Sequence, residues 1–298
     1  MKGIKYTTTG ERRRSQLNSY HCKPSVLDHS LGATKFDVKD VKNKVIQLHN
    51  NNYRSNYTIG FEIEKSSFGE GQRKEYALIQ GYEMDGSCGV EAVTNILPLL
   101  PRSQWRNKIF DMIFKAKGIM NDAESPSTLN CGGHITIGVR RDNNTEMLGR
   151  TLREMLRLNA SILFALFRYR LKNSYCRSNL RMQNYHDENG DRINHYNGFA
   201  DKYQASLAKS TALEFRIPTR ITSYKQMFRR YELMYEIVDF SVTKPNGRFA
   251  SLLSKVRPII LSMYENDVEK TDMVLSLAKD FRKFIKDGTI SNSIREFI

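Results

Sequence analysis

Carboxylates recur at strand-like spacing in this chain. Glu62 and Glu64 stand two apart in TIGFEIE (Thr58 to Glu64), Glu83 and Asp85 stand two apart in GYEMDGSCGVE, and Glu91 follows the Gly-Ser-Cys-Gly turn. His134 and Thr136 share that spacing in GGHITIG, as do Glu214 and Arg216 in LEFRIP. Alternate residues of an extended segment share a face, so each polar pair projects to one side of a sheet while Ile59, Phe61 and Ile63 project to the other. Like charges on a covered face repel and lose hydration, and a cation relieves both costs. If these strands are neighbours, Glu62, Glu64, Glu91 and Glu214 converge with one imidazole and one guanidinium. Oxygen-rich sets with few histidines suit hard divalent cations, and Mg²⁺ typically bridges carboxylates to substrate phosphates. The plainer alternative is the solvated side of an antiparallel sheet.

The elements that must position these residues follow from the same periodicities. TIGFEIE, EYALIQGYEMD, GVEAVTNIL and HITIGVR alternate as strands, and KYQASLAKSTALEFRIPT reads as a hairpin. Helices are expected over 103–118, capped by Ser103 and stopped at Gly118, over 145–172 with a wide apolar stripe, and over 223–242, capped by Ser223. The expected fold is therefore α+β: an antiparallel sheet with the polar constellation on one face and helices packed on the other. Residues 1–55 read as a basic N-terminal extension with a short helix near Val38 to Leu48, 56–244 as the site-bearing domain, and 245–298 as a C-terminal helical segment. The polar stretch from Asn173 to Asp201 is long for a structureless connection and reads as a functional loop or lid, with Tyr185, His186, Asp187, Glu188, Asp191, Arg192, His195 and Tyr196 in it.

Composition sets the outer bounds. A chain of 298 residues with 40% hydrophobic content can bury a full core, which excludes a mainly disordered protein. No run approaches the roughly 18 apolar residues of a membrane helix, and the N-terminus lacks the apolar stretch of a secretion signal, so no membrane partner and a cytoplasmic location are expected. Cys22, Cys88, Cys131 and Cys176 lie far apart without CxxC spacing, which suggests neither a zinc knuckle nor a disulfide framework. The net charge of +15 favours contact with nucleic acid or with anionic substrates such as nucleotides. Basic groups at Arg12 to Arg14, Arg140 and Arg141, and Arg229 and Arg230 read as parts of a charged surface. The small size and the abundance of Asn, Lys and Tyr suit a phage-encoded protein working in the infected host cell.

The order GFEIE, DGSCGVE, NCGGHIT, a helix, then LEFR resembles the amidoligase family, carboxylate–amine ligases related in fold to glutamine synthetase and glutamate–cysteine ligase. The resemblance spans about residues 57 to 242, and the four motifs in order are far more specific than any one alone. It implies a glutamine-synthetase-like catalytic domain in which Glu62, Glu64, Glu91, His134 and Glu214 bind magnesium or manganese. It further implies that Asn130 and Gly132 hold an amino-acid-like or peptide carboxylate substrate, that Arg216 contacts the transferring phosphate of ATP, and that Asp85 is the turn aspartate of the site. Many relatives carry H-x-H where this chain has His134-Ile135-Thr136, so Thr136 stands where a second histidine would meet the nucleotide, with one hydroxyl to donate.

The resulting expectation is an ATP- and magnesium-dependent ligase that activates a carboxylate as an acyl phosphate and joins it to an amine. A rival of a different class is a ligase-fold protein without turnover, acting as a basic nucleic-acid-binding or phage structural protein. Oligomerisation through the terminal helices is compatible with either.

Overall fold

The computed structural model describes residues 6–7, 56–66, 76, 78–85, 88–94, 97–102, 104–120, 131–139, 141, 147–173, 176, 205–209 and 211–298, without the side chains of 6–7, 80–85 and 104–105. Its strands are β1 (Tyr6–Thr7), β2 (Tyr57–Lys65), β3 (Ile79–Asp85), β4 (Gly89–Thr94), β5 (Leu97–Pro98), β6 (Ile135–Val139), β7 (Ser206–Ala208) and β8 (Leu213–Phe215). They form one sheet in the order β1-β3-β4-β2-β6-β8-β7, with β5 also on β2. Every pairing is antiparallel except β1 with β3. The protein is a mixed helix and antiparallel-sheet fold.

Strand β2 is central and buried along almost its whole length. Its C-terminal half pairs with β4 and its N-terminal half with β6. Register then fixes two apolar rows on one face: Phe61, Ile135 and Phe215 lie opposite one another on β2, β6 and β8, and Ile59, Ile137 and Leu213 do the same. All six are at most 1% exposed, and burying each such side chain contributes roughly 1.5–3 kcal/mol.

Helices α1 (Gln104–Lys115), α2 (Lys117–Met120), α3 (Gly149–Leu156), α4 (Ser161–Leu166), α5 (Tyr224–Thr243), α6 (Phe249–Met263) and α7 (Val268–Asp287) share one apolar core with those rows. α5 is pinned to the sheet by Tyr231, whose hydroxyl donates to the Pro98 carbonyl (2.6 Å) and accepts from Leu100 N (2.8 Å). Leu252, Val256, Val274 and Phe281 of α6 and α7 belong to the same core as the sheet residues.

Two expectations need correction. The helix expected over 145–172 is broken into α3, α4 and a 3-10 turn at Arg168–Lys172. At the first break Asn159 turns inward, donating to Ser241 Oγ and accepting from Arg282, each at 2.8 Å, so contacts between elements override a continuous apolar stripe. Gly118 does not end the first helix; the break falls at Ala116 and α2 runs through Gly118, held by buried Ile119 and Met120 and by Lys65 Nζ on the Met120 carbonyl (2.9 Å). Within the expected N-terminal extension, Tyr6 and Thr7 pair with Tyr82 and Glu83 as an edge strand. The helix near Val38 to Leu48 and the named loop residues of 173–201 lie outside the described residues. Among the described residues no helix is long and apolar enough to cross a membrane.

Candidate metal centre

The face opposite the apolar rows carries the carboxylates. Glu64 lies directly opposite Glu91, and Glu83 occupies the register position on the far side of Glu91. Thr136 lies between Gly60 and Glu214, and Glu62 N donates to the His134 carbonyl (3.1 Å), extending the β2–β6 ladder to the histidine. Cross-strand neighbours of like charge destabilise a sheet, so Glu91 directly opposite Glu64 runs against the fold.

Glu62, Glu64, Glu91, His134 and Glu214 are all buried, none more than 6% exposed. Two overlapping groups bring their ligand atoms within 4.8 Å of one another: Glu62 with Glu64 and Glu91, and Glu62 with His134 and Glu214. His134 Nδ1 lies 2.7 Å from Glu62 Oε2 and 3.9 Å from Glu214 Oε1, while Nε2 lies 3.2 Å from Glu64 Oε1. A neutral imidazole has a single N–H and can donate to only one of these carboxylates. A divalent cation between the other nitrogen and its carboxylates is the arrangement such a donor set fits, and four carboxylates with one imidazole match a hard ion.

Two cations border the cluster at one end. Lys209 Nζ and Arg216 Nη1 both contact Glu214, the latter at 2.5 Å. Burial alone would raise the Glu214 carboxyl, and Glu62 adds to that, but Lys209, Arg216 and His134 outweigh both and hold its pKa down to about 2. Burial works against the Arg216 charge as well, yet Glu214, Glu62 and Glu64 keep that guanidinium above its ordinary range.

The loops carrying His134 and Arg216 are held by two further guanidiniums. Arg170 donates to the Cys131 carbonyl (3.1 Å) and the Arg216 carbonyl (3.5 Å). Arg230 donates to the Thr219 carbonyl (2.5 Å), Thr219 Oγ1 (3.0 Å) and the Arg220 carbonyl (3.1 Å), with Phe167 against its face. Burial and the neighbouring Arg170 charge push the Arg230 pKa down to about 9. Arg230, expected on a charged surface, is in fact 1% exposed, because its two terminal nitrogens bond the Thr219 and Arg220 carbonyls and Thr219 Oγ1 of the loop it folds over. Its partner in that pair, Arg229, bonds Glu232 instead.

The structure thus brings together Glu62, Glu64, Glu91, His134, Glu214, Arg216, Thr136 and Gly132, whose N–H donates to Glu64 Oε2 at 2.5 Å. Asp85 ends β3 opposite Gly89, and its side chain is outside the described set; Asn130 lies outside the described residues altogether. Lys209 and Arg170 were not singled out by spacing, and Arg230 was read only as part of a charged surface. Lys209 sits in the hairpin turn before LEFR, and that placement was the one available sign.

Neither a known protein-family model nor any curated protein matches the chain. Among solved structures, one of GmaS, gamma-glutamylmethylamide synthetase, a glutamine synthetase-like ligase determined without ligand, aligns over 90% of this chain and 76% of that one at 10% identity with a TM-score of 0.33. A superposition that loose carries no argument about activity. What the fold and geometry define is an α+β protein with a buried acidic cluster on one sheet face, suited in donor type to hard divalent cations.

Proposed function

We propose that this chain is an ATP- and magnesium-dependent ligase joining a carboxylate to an amine. The observation that supports it most is the convergence of Glu62, Glu64, Glu91, His134 and Glu214 from four strand segments into two overlapping groups, with Arg216 alongside. These are the positions that the motif order assigns to metal and phosphate.

Glu62, Glu64 and Glu91 would hold one magnesium or manganese ion, and Glu62, His134 and Glu214 another. Bound there, the ions supply neutralisation of the charge on the phosphates of ATP. Arg216, kept charged by Glu214 and Glu62, faces the transferring phosphoryl group; Thr136 offers its hydroxyl to the nucleotide; Asn130 and Gly132 orient the acid. The substrate carboxylate oxygen attacks the γ-phosphorus, the bond to the β-bridging oxygen breaks, and ADP departs. The amine nitrogen then attacks the acyl phosphate carbon, inorganic phosphate leaves, and the amine proton passes to solvent or to a nearby base.

Calorimetry of Mg-ATP binding tests the metal assignment, comparing the parent with Glu62→Gln plus Glu64→Gln. Binding that needs magnesium and disappears in the double variant is the expected result. Hydroxylamine added with candidate acids then traps an acyl phosphate as a hydroxamate while ADP accumulates. If neither protein binds ATP and both bind nucleic acid with steep salt dependence, the ligase reading fails in favour of its rival.

A further inference from the structure

Two turns deliver cysteines to Glu64, the carboxylate at the centre of the cluster. In the β3–β4 turn, Gly89 has φ of +113°, and a Cβ there would meet the Ser66 carbonyl oxygen at 2.4 Å. Only glycine lets this turn fold flush against the end of β2, where Cys88 then sits beside Glu64. On the β6 side, a Cβ at Gly132 would meet His134 Nε2 at 2.6 Å and Glu64 Oε1 at 3.0 Å, and this close approach brings Cys131 in. The outcome is that the Cys88 sulfur, the Cys131 sulfur and a Glu64 oxygen all lie within 4.8 Å of one another, and all three residues are buried.

Buried thiols usually have apolar neighbours. These two share a buried pocket with a carboxylate, and the Cys88 thiol lies 3.6 Å from the Val90 carbonyl oxygen. Sulfur donors select thiophilic ions over magnesium. Zinc–sulfur bonds of about 2.3 Å in tetrahedral geometry separate two sulfurs by roughly 3.8 Å. The present spacing, at most 4.8 Å, lies within about 1 Å of that distance.

We propose that Cys88, Cys131 and Glu64 form a separate site for a thiophilic divalent cation such as zinc, adjoining the oxygen-rich cluster. As the ion binds, each thiol gives its proton to solvent and each sulfur donates an electron pair; Glu64 supplies the third ligand and water the fourth. The site itself does not depend on the ligase reading. Its consequence does: a thiophilic ion takes Glu64 away from magnesium, so zinc antagonises Mg-ATP binding.

The test uses cobalt as a spectroscopic probe on the full chain, kept reduced by a non-chelating phosphine. Cys22→Ser and Cys176→Ser are introduced together, leaving only Cys88 and Cys131. The expected result is a thiolate-to-cobalt charge-transfer band that saturates at one ion per chain, is bleached by zinc, and is lost on adding Cys88→Ser or Cys131→Ser. Absence of the band from the parent and from the two-cysteine chain overturns the proposal without relying on any variant that fails to fold. So does a band that survives Cys88→Ser or saturates at one ion per two chains. Mg-ATP calorimetry on the same two-cysteine chain separates the two readings. A cobalt band without Mg-ATP binding leaves this site standing and removes the ligase, whereas Mg-ATP binding without the band does the reverse.

Discussion

Two clusters of like charge are buried side by side in this protein, and they are satisfied in opposite ways. The carboxylates of Glu62, Glu64, Glu91 and Glu214 gather on one sheet face, with His134 among them and Lys209 and Arg216 at the Glu214 end. The guanidiniums of Arg170 and Arg230 spend their donors on carbonyls of the 131–133 and 216–220 segments. Backbone carbonyls are fixed parts of the fold, so these bonds tie the basic cluster to the loops it supports, while Arg230 Nε stays buried without a hydrogen-bond partner. The acidic cluster has the donor set of a site for a hard cation. Buried charge therefore has two uses here: the arginines set loop geometry, and the carboxylates gather oxygen donors on one sheet face.

The sharpest way to break this comparison is Arg230→Met. It leaves the Thr219 and Arg220 acceptors without their donors in a dry environment, and an expected loss of roughly 3 kcal/mol in unfolding free energy follows, measured by urea denaturation. Glu62→Gln plus Glu64→Gln should behave in the opposite sense. It removes like-charge repulsion, so the apo protein keeps or gains stability, while magnesium affinity in calorimetry falls by about 100-fold or more, equivalent to roughly 2.7 kcal/mol. If the arginine variant instead stays stable and loses only magnesium, Arg230 belongs to the site and the division fails.

Much of the acidic half was legible in sequence, because strand alternation is a local property: TIGFEIE must present Glu62 and Glu64 together wherever β2 lies. The register that sets Glu64 opposite Glu91, and Thr136 opposite Glu214, is not local, and it became readable only through the order of motifs. The basic half was misread for the same reason. Arg229 and Arg230 are adjacent and identical on paper, yet helix geometry sends one to Glu232 and buries the other under a loop defined many residues away. Cys88 and Cys131 look unrelated at their spacing, since their meeting depends on two close backbone approaches at Gly89 and Gly132. The break at Asn159 was hidden because a side chain hydrogen-bonded to α5 and α7 interrupts a helix whose apolar stripe continues unbroken.

Gly132→Ala probes the contact between the two clusters. The added methyl pushes on the His134 ring, with its nearest atoms at 2.6 and 2.8 Å, and on Glu64, while the Arg170 bond to the neighbouring Cys131 carbonyl remains available. Displacing oriented ligands without removing them is expected to weaken magnesium about 10-fold, the scale on which supporting contacts matter. A change confined to stability, with magnesium affinity intact, would show that His134 and Glu64 need not hold their present spacing.

The smallest expected effect is also the cleanest control. Ser223 caps α5 by accepting from Gln226 N at 3.1 Å, and Ser223→Ala should lower unfolding free energy by about 1 kcal/mol. Arg230 lies two turns into that helix, beyond the residues that fray when a cap is lost, so magnesium affinity should be unchanged. A fall in affinity alongside the stability loss would mean that the helix start reaches the site through Arg230 and the Thr219 loop. In that case the arginines regulate the acidic face as well as supporting it, and the two clusters act as one unit.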